Sequence, residues 1–209
     1  MDGTLVDSGD FHFRSWRNAL AAEGFDLSFA QFTQTFGQRN DTILRTLLRP
    51  DLPDSEIERI GGSKEAEYRD LVRAHGIVVL PGVREWLTRL QQDGWLQAVA
   101  SSAPRANIDT ILAVLDLGAF FDVIVAAEDV VVGKPDPQVF LTGAARLGVE
   151  PRWSIVVEDA PAGVEGARRA GMRCIGIVSA GRELNADLVV ERLDSLPTDA
   201  FERLVAPEP

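Results

Sequence analysis

Two adjacent acids, Glu158 and Asp159, follow the apolar run 154–157 and stand directly before Ala160-Pro161-Ala162-Gly163, a proline-marked helix start. Carboxylate oxygens at the end of a buried strand suit a hard divalent cation, and Mg²⁺ takes only one or two of them, completing its shell with water and phosphate. An acid ahead of a proline-containing first turn is also a good helix cap, so the pair alone carries two readings. The acidic turn Met1-Asp2-Gly3-Thr4 favours the metal, because Asp2 supplies another oxygen ligand. Lys134 lies in Gly133-Lys134-Pro135-Asp136-Pro137, where two prolines hold the loop extended and Asp136 can cap a helix with Pro137 at its first position. An ammonium presented rigidly neutralises a phosphoryl oxygen or a neighbouring carboxylate, whereas a lone lysine is more often a solvated surface charge. Ser101 closes another apolar run and offers its hydroxyl, with the backbone amides beyond it from Ser102 onward, to a phosphate oxygen; the competing reading is a turn serine. No histidine or acid stands at a spacing that would make Ser101 a triad nucleophile.

These residues need elements that bring them together. The runs 96–100, 123–127, 154–157 and 174–178 are nearly continuous in apolar residues, as in strands covered on both faces. Between them, Val83, Trp86, Leu87 and Leu90 fall at i, i+3, i+4 and i+7, and Ile108, Ile111, Leu112 and Leu115 repeat the spacing of a helix with one buried face. The alternation predicts an α/β fold with a parallel sheet, and ligands of such sheets bind beyond the carboxyl ends of the strands. Ser101, Lys134 and Glu158-Asp159 all lie just past such ends.

Residues 10–76 read differently, with helical spacing such as Phe13, Trp16 and Leu20 and no strand. Ser55 with Glu58 reads as a capping box, Gly37, Gly61 and Gly62 as breaks between helices, and Leu80-Pro81-Gly82 as a boundary turn. The predicted organisation is therefore a core of 1–9 and 81–209 with an all-helical insertion at 10–80, and residues 206–209 are expected to fray.

Composition limits the partners. The chain has 209 residues, 45% hydrophobic and 25% charged, and a formal net charge of −11. Such a charge disfavours nucleic acid and anionic membrane surfaces, while a small phosphorylated metabolite stays accessible if a metal and local cations overcome the field. The single Cys174 has no intramolecular disulfide partner and reads as a small buried hydrophobe. No apolar run approaches the ~18 residues of a membrane span, and the sequence reads as a cytoplasmic protein, monomer favoured.

Taken in order, Asp2-Gly3-Thr4-Leu5-Val6-Asp7-Ser8, Ser101, Lys134-Pro135 and Val157-Glu158-Asp159-Ala160-Pro161-Ala162-Gly163 resemble the haloacid dehalogenase superfamily. Phe11-His12-Phe13-Arg14-Ser15-Trp16 looks like the cap entrance of its β-phosphoglucomutases and their phosphatase relatives. The resemblance implies a Rossmann-like core, a helical cap inserted after the first motif, and Mg²⁺-dependent phosphoryl transfer through an aspartyl-phosphate. It casts Asp2 as the general acid and base whose backbone carbonyl helps hold the metal, Ser101 as a phosphate ligand and Lys134 as the charge-neutralising lysine. Glu158 and Asp159 become the metal pair, with Asp159 the direct ligand. In the cap, His12 would orient the general acid or a sugar hydroxyl, Lys64 matches a cap lysine and Arg39 lies near a phosphate-binding arginine; for His12 a helix-surface position competes.

The attacking aspartate of that family stands two positions before the residue that Asp2 matches, at the end of a strand in the middle of the sheet, and only Met1 precedes Asp2 here. The expectation is that the natural protein has an upstream apolar run ending in aspartate, and that this chain alone folds poorly and does not turn over. Three readings follow: hydrolysis of a small phosphosugar or other phosphomonoester, a β-phosphoglucomutase, and a non-catalytic phosphate-binding protein.

Overall fold

The computed structural model describes residues 1–178 and 183–205, so the fraying expected at 206–209 lies outside the described residues. A short strand β1 (Val6–Asp7) leads into four helices, α1 (Gly9–Ala21), α2 (Phe29–Thr35), α3 (Asn40–Leu47) and α4 (Asp54–His75). These bury an apolar cluster of their own around Trp16, Leu20, Phe32, Leu44 and Ile60. The chain returns through β2 (Val78–Val79), which pairs antiparallel with β1, so one two-residue ribbon carries both crossings between the helices and the remainder.

The remainder alternates helix and strand: α5 (Val83–Gln92), β3 (Ala98–Ala100), α6 (Arg105–Leu115), β4 (Val123–Val125), α7 (Gln138–Leu147), β5 (Ile155–Glu158), α8 (Pro161–Arg169), β6 (Arg173–Ile177), β7 (Leu188–Val190) and α9 (Ala200–Val205). The strands are parallel, β3 with β4 and β5 with β6 and β7, as the apolar runs imply. They form two separate ladders, and no strand among the described residues joins β3 to β5. A cavity of about 600 Å³ lies between those two strands. One apolar layer packs beneath the ladders around Leu87, Val99, Ile108, Ile175 and Phe201, and a second packs around Val125, Phe140, Val156, Ala167 and Met172. Cys174 belongs to this second layer, and burial first, then the charge of Glu158, pushes its thiol up to about 12.

Two local expectations are corrected. Gly61 and Gly62 do not break a helix, because α4 runs through both. A glycine inside a helix costs roughly 1 kcal/mol against alanine; here Gly61 is buried and a side chain would meet the Asn40 amide at 3.4 Å, so packing of α3 on α4 overrides propensity. Ser55 and Glu58 form no capping box, since α4 has already begun at Asp54 after Pro53. The box occurs at Ser28, whose hydroxyl accepts from the Gln31 amide at 3.3 Å while the Gln31 side chain accepts from the Ser28 amide at 3.0 Å.

Candidate active site

The carboxyl ends of β3 and β5 open into a crevice covered by the helices, lined by Asp2, Ser101, Ser102, Lys134, Glu158 and Asp159 below and by His12 and Lys64 above. Arg39 is not brought into this wall. It sits at the rim, where its guanidinium donates to the Ala127 carbonyl at 3.3 Å and pairs with Asp41 at 3.6 Å.

The two adjacent acids have divided their work. β5 ends at Glu158, whose Oε2 accepts from the amides of Asp159 at 3.0 Å and Ala160 at 3.1 Å while Oε1 pairs with the Lys134 ammonium. Neither acid caps the first turn of α8: Glu158 takes the two amides just ahead of the helix, whose N-cap position is Ala160. Gly163 makes room for Glu158, since a Cβ there would fall 2.1 Å from the Glu158 carboxyl carbon. Burial alone would raise the Glu158 carboxyl, but Lys134 outweighs it and holds the group below its usual range. Lys134 also donates to the Ala100 carbonyl at 3.3 Å, tying the end of β3 to the end of β5. Its loop is set by Asp136, which accepts from the Gln138 amide at 2.9 Å at the start of α7.

Asp159 is left facing the acidic turn. Its Oδ1 accepts from the Thr4 hydroxyl at 3.0 Å, and Gly3, at φ +72°, lies so close that a Cβ would meet Oδ2 at 2.1 Å. Burial and then the Glu158 charge raise the Asp159 carboxyl above its usual value. A buried carboxylate strained in this way is one that a cation would relieve. Among the described residues no three His, Cys, Asp or Glu side chains gather into a metal cage. The carboxylate present there, Asp159, is of the kind that a hard cation held by one or two carboxylates with phosphate and water, such as Mg²⁺, would fit.

Asp2 points instead toward the helices. Its Oδ1 accepts from Ser8 Oγ at 2.6 Å, from His12 Nε2 at 3.2 Å and from the Tyr68 hydroxyl at 3.4 Å. Burial would raise Asp2, yet His12, the Met1 amino group and Ser8 together hold it well below the carboxylate range. His12 is buried, stacked on Tyr68 with ring centroids 4.0 Å apart, so the surface reading of this residue is excluded. Lys64 Nζ lies 2.9 Å from His12 Nδ1, which therefore accepts, leaving Nε2–H to donate to Asp2. Burial and then the Lys64 charge lower the His12 pKa, keeping the imidazole neutral. Lys64 in turn pairs with Glu65 at 2.9 Å.

Ser101 is buried, and its Oγ accepts from the Ala103 amide at 3.1 Å, which sets the turn and leaves the hydroxyl proton free to donate. Four polar residues around the site, Thr4, Ser8, Glu65 and Tyr68, were given no role by sequence reasoning. Thr4 and Ser8 follow Asp2 in the motif itself and Tyr68 lies four residues beyond Lys64, so motif membership and helical spacing were the available signals for these three, whereas Glu65, one residue beyond Lys64, had none.

The chain is similar to known proteins in sequence and in fold. Hexitol phosphatase B of Escherichia coli K12 is 34% identical over 182 residues, covering 84% of this chain and 79% of that protein. The β-phosphoglucomutase of Bacillus subtilis is 30% identical over 205 residues, covering 94% and 88%. The crystal structure of β-phosphoglucomutase from Clostridium difficile superimposes with a TM-score of 0.88 at 25% identity, covering 98% of this chain and 93% of that one. The model of the family described as haloacid dehalogenase-like hydrolase matches residues 1–177, and the chain belongs to that family.

Proposed function

We propose that this chain forms the body of a Mg²⁺-dependent phosphatase of small phosphosugars, with Asp2 as general acid and base. The observation that carries the reading is the hydrogen-bonded line Lys64, His12, Asp2, which ends at the crevice where Ser101, Lys134 and Asp159 converge. Relatives that act as a hexitol phosphatase and a β-phosphoglucomutase support the substrate class.

In this reading Asp159 and the Asp2 carbonyl hold Mg²⁺, with Glu158 behind them. Bound there, the cation would neutralise charge on the transferring phosphoryl group. Ser101 and the amide of Ser102 bind phosphoryl oxygens, and Lys134 offsets the buried charge of Glu158. Phosphoryl transfer through an aspartyl-phosphate, the route that the haloacid dehalogenase resemblance implies, is the chemistry this crevice would serve. Asp2 donates a proton to the leaving sugar oxygen and then takes one from the water that cleaves the acyl-phosphate. Hydrogen bonds from Ser8 and His12 keep Asp2 ionised until an anionic phosphoryl group approaches and raises its pKa, which is what lets it carry the proton. His12 orients the Asp2 carboxylate, and the helices of residues 10–80 act as a cap that excludes bulk water from the core of 1–9 and 81–209.

The test is an assay of phosphate release from a phosphosugar panel with Mg²⁺, using protein extended ahead of Met1 by an apolar segment ending in aspartate. Turnover is expected for the extended protein and not for the chain that begins at Met1, with Asp2→Asn lowering it by about 10²–10⁴-fold. Conversion of β-glucose 1-phosphate in the presence of a sugar bisphosphate, without phosphate release, would assign the mutase reaction instead. Tight orthophosphate binding with no turnover would assign a binding role.

A further inference from the structure

We infer that the crevice accepts phosphomonoesters whose leaving group is uncharged, a sugar or polyol, and rejects those carrying a second anionic group, with Glu65 as the residue that sets this choice. The choice presupposes that the crevice is a phosphomonoester site, as proposed above, and names the class of leaving group. A site that welcomes a second phosphate or a carboxylate presents it with a cation whose donors are free. Among the described residues that line the crevice, the cationic side chains are Lys64 and Lys134, and both are engaged. Lys134 is held by Glu158 and the Ala100 carbonyl. Lys64 places two of its three donors on His12 Nδ1 and Glu65 Oε1, each at 2.9 Å, and its ammonium lies 5.1 Å from the Trp16 ring centre and 5.3 Å from that of Tyr68. The Lys64 side chain is 2% exposed, so its charge is closed to a ligand. Arg39, at the rim, is pinned elsewhere. Its guanidinium is on the Ala127 carbonyl and Asp41, and its stem packs on Gly133, where a Cβ would meet Arg39 Cδ at 2.8 Å.

Glu65 is what closes Lys64 off. Its Oε1 also accepts from the Asn40 amide at 2.8 Å and its Oε2 from Asn107 at 2.5 Å, so one carboxylate gathers donors from α3, α4 and α6 beside the crevice. Burial would raise the Glu65 carboxyl, but Lys64 and then the two amides hold it below its usual range, and it stays ionised. An anion brought to this wall meets that fixed charge in a crevice that already holds Asp2, Glu158 and Asp159, where partial burial limits screening. What the wall presents to a leaving group is uncharged: the side-chain amides of Gln38, Asn40 and Asn107 and the rings of Trp16 and Phe36. Amides donate to and accept from hydroxyls, and an aromatic ring packs against the C–H face of a sugar or polyol. A sugar that already bears a phosphate is resisted as phosphoryl acceptor for the same reason, which leaves water.

Two matched pairs of ligands, titrated calorimetrically into the protein at saturating Mg²⁺, read the choice as binding and need no turnover. Glycerol 3-phosphate and 3-phosphoglycerate have nearly the same size and differ by a carboxylate. Fructose 1-phosphate and fructose 1,6-bisphosphate differ by a phosphate that extends toward the rim. In each pair the member with the uncharged leaving group is expected to bind about tenfold or more tightly than its partner, the factor that one hydrogen bond to a charged group supplies. Glu65→Gln keeps the shape of the side chain, frees the Lys64 charge and is expected to reduce both ratios by about tenfold. Gln38→Lys adds a cation at an exposed position of the wall, away from the buried network, and is expected to reduce them in the same direction. Equal or tighter binding of the doubly anionic ligands by the unaltered protein overturns the proposal. So do unchanged ratios in Glu65→Gln, or in Gln38→Lys where the Glu65 variant fails to fold. Loss of bisphosphate binding in Arg39→Gln also overturns it, by assigning a second anion site to the rim. Absence of orthophosphate binding removes the phosphatase reading and this choice with it, whereas orthophosphate binding without preference within the pairs removes the choice alone.

Discussion

His12 shows how far a single side chain departs from what its position in the sequence implies. On a helix it could have faced solvent, and only the fold reveals that Asp2 and Lys64 sit on its two ring nitrogens with Tyr68 stacked beside it. Its neutral form has a consequence for stability. The imidazole is lowered from its usual value of 6.5 by burial and then by Lys64, against the opposing charges of Asp2 and Glu65. Below pH 6.5 the unfolded chain therefore binds a proton there that the folded chain resists. The contribution is fully present above pH 6.5 and is lost as pH falls. Urea unfolding between pH 7.5 and 5 should show stability dropping with acid, and His12→Gln should flatten that slope; an unchanged slope would place the titration elsewhere. The acids were legible as a pair but not in their division. Nothing in the sequence says that Glu158 goes to Lys134 and two amides while Asp159 meets Thr4, because that choice depends on a strand end and a loop 24 residues away.

Elements long enough to show a period were readable, and short ones were not. Val83, Trp86 and Leu87 are buried on one face of α5, as their spacing implies. By contrast β7 and the ribbon of β1 with β2 contain three and two residues per strand, too few for any period to register. The least legible feature is the seam between α4 and α6. Asn107 Nδ2 donates to Glu65 at 2.5 Å and its Oδ1 accepts from Arg69 at 2.9 Å, while Arg73 reaches Thr110 at 3.2 Å. Glu65 also accepts from Asn40 at 2.8 Å and from Lys64 at 2.9 Å, so one buried carboxylate joins α3, α4 and α6. Removing a partner from a buried charged group typically costs about 1–3 kcal/mol. Asn107→Ala is therefore expected to destabilise the protein by that amount and to speed hydrogen exchange in α4 more than in β6. Uniform loss of protection would mean that the seam is not a separate closure element.

At the scale of the molecule, the α/β order was legible because each strand is an apolar run followed by a helical one, whereas the gap between β3 and β5 is a relation across 55 residues that no local pattern carries, and the expectation of a missing central strand came from the resemblance alone. Net charge was legible from the start, and the crevice sharpens its meaning. A total of −11 surrounds a site whose side chains already include four carboxylates, Asp2, Glu65, Glu158 and Asp159, against Lys64, Lys134 and a neutral His12. Both lysines are paired with glutamates, so neither brings a spare positive charge to an incoming phosphate. Cations are drawn in and anions are resisted until a cation is bound. Raising ionic strength from 10 mM to 150 mM shortens the screening length from about 30 Å to about 8 Å, weakening both effects. Calorimetric titration should therefore show Mg²⁺ affinity falling with added salt. Orthophosphate affinity at saturating Mg²⁺ should move the opposite way, because screening removes the repulsion of the whole molecule. In EDTA, orthophosphate should not bind measurably. Equal phosphate affinity with and without Mg²⁺ would show that the Ser101 hydroxyl and the amides beyond it suffice as an anion site, and would remove the metal from the reading of the crevice.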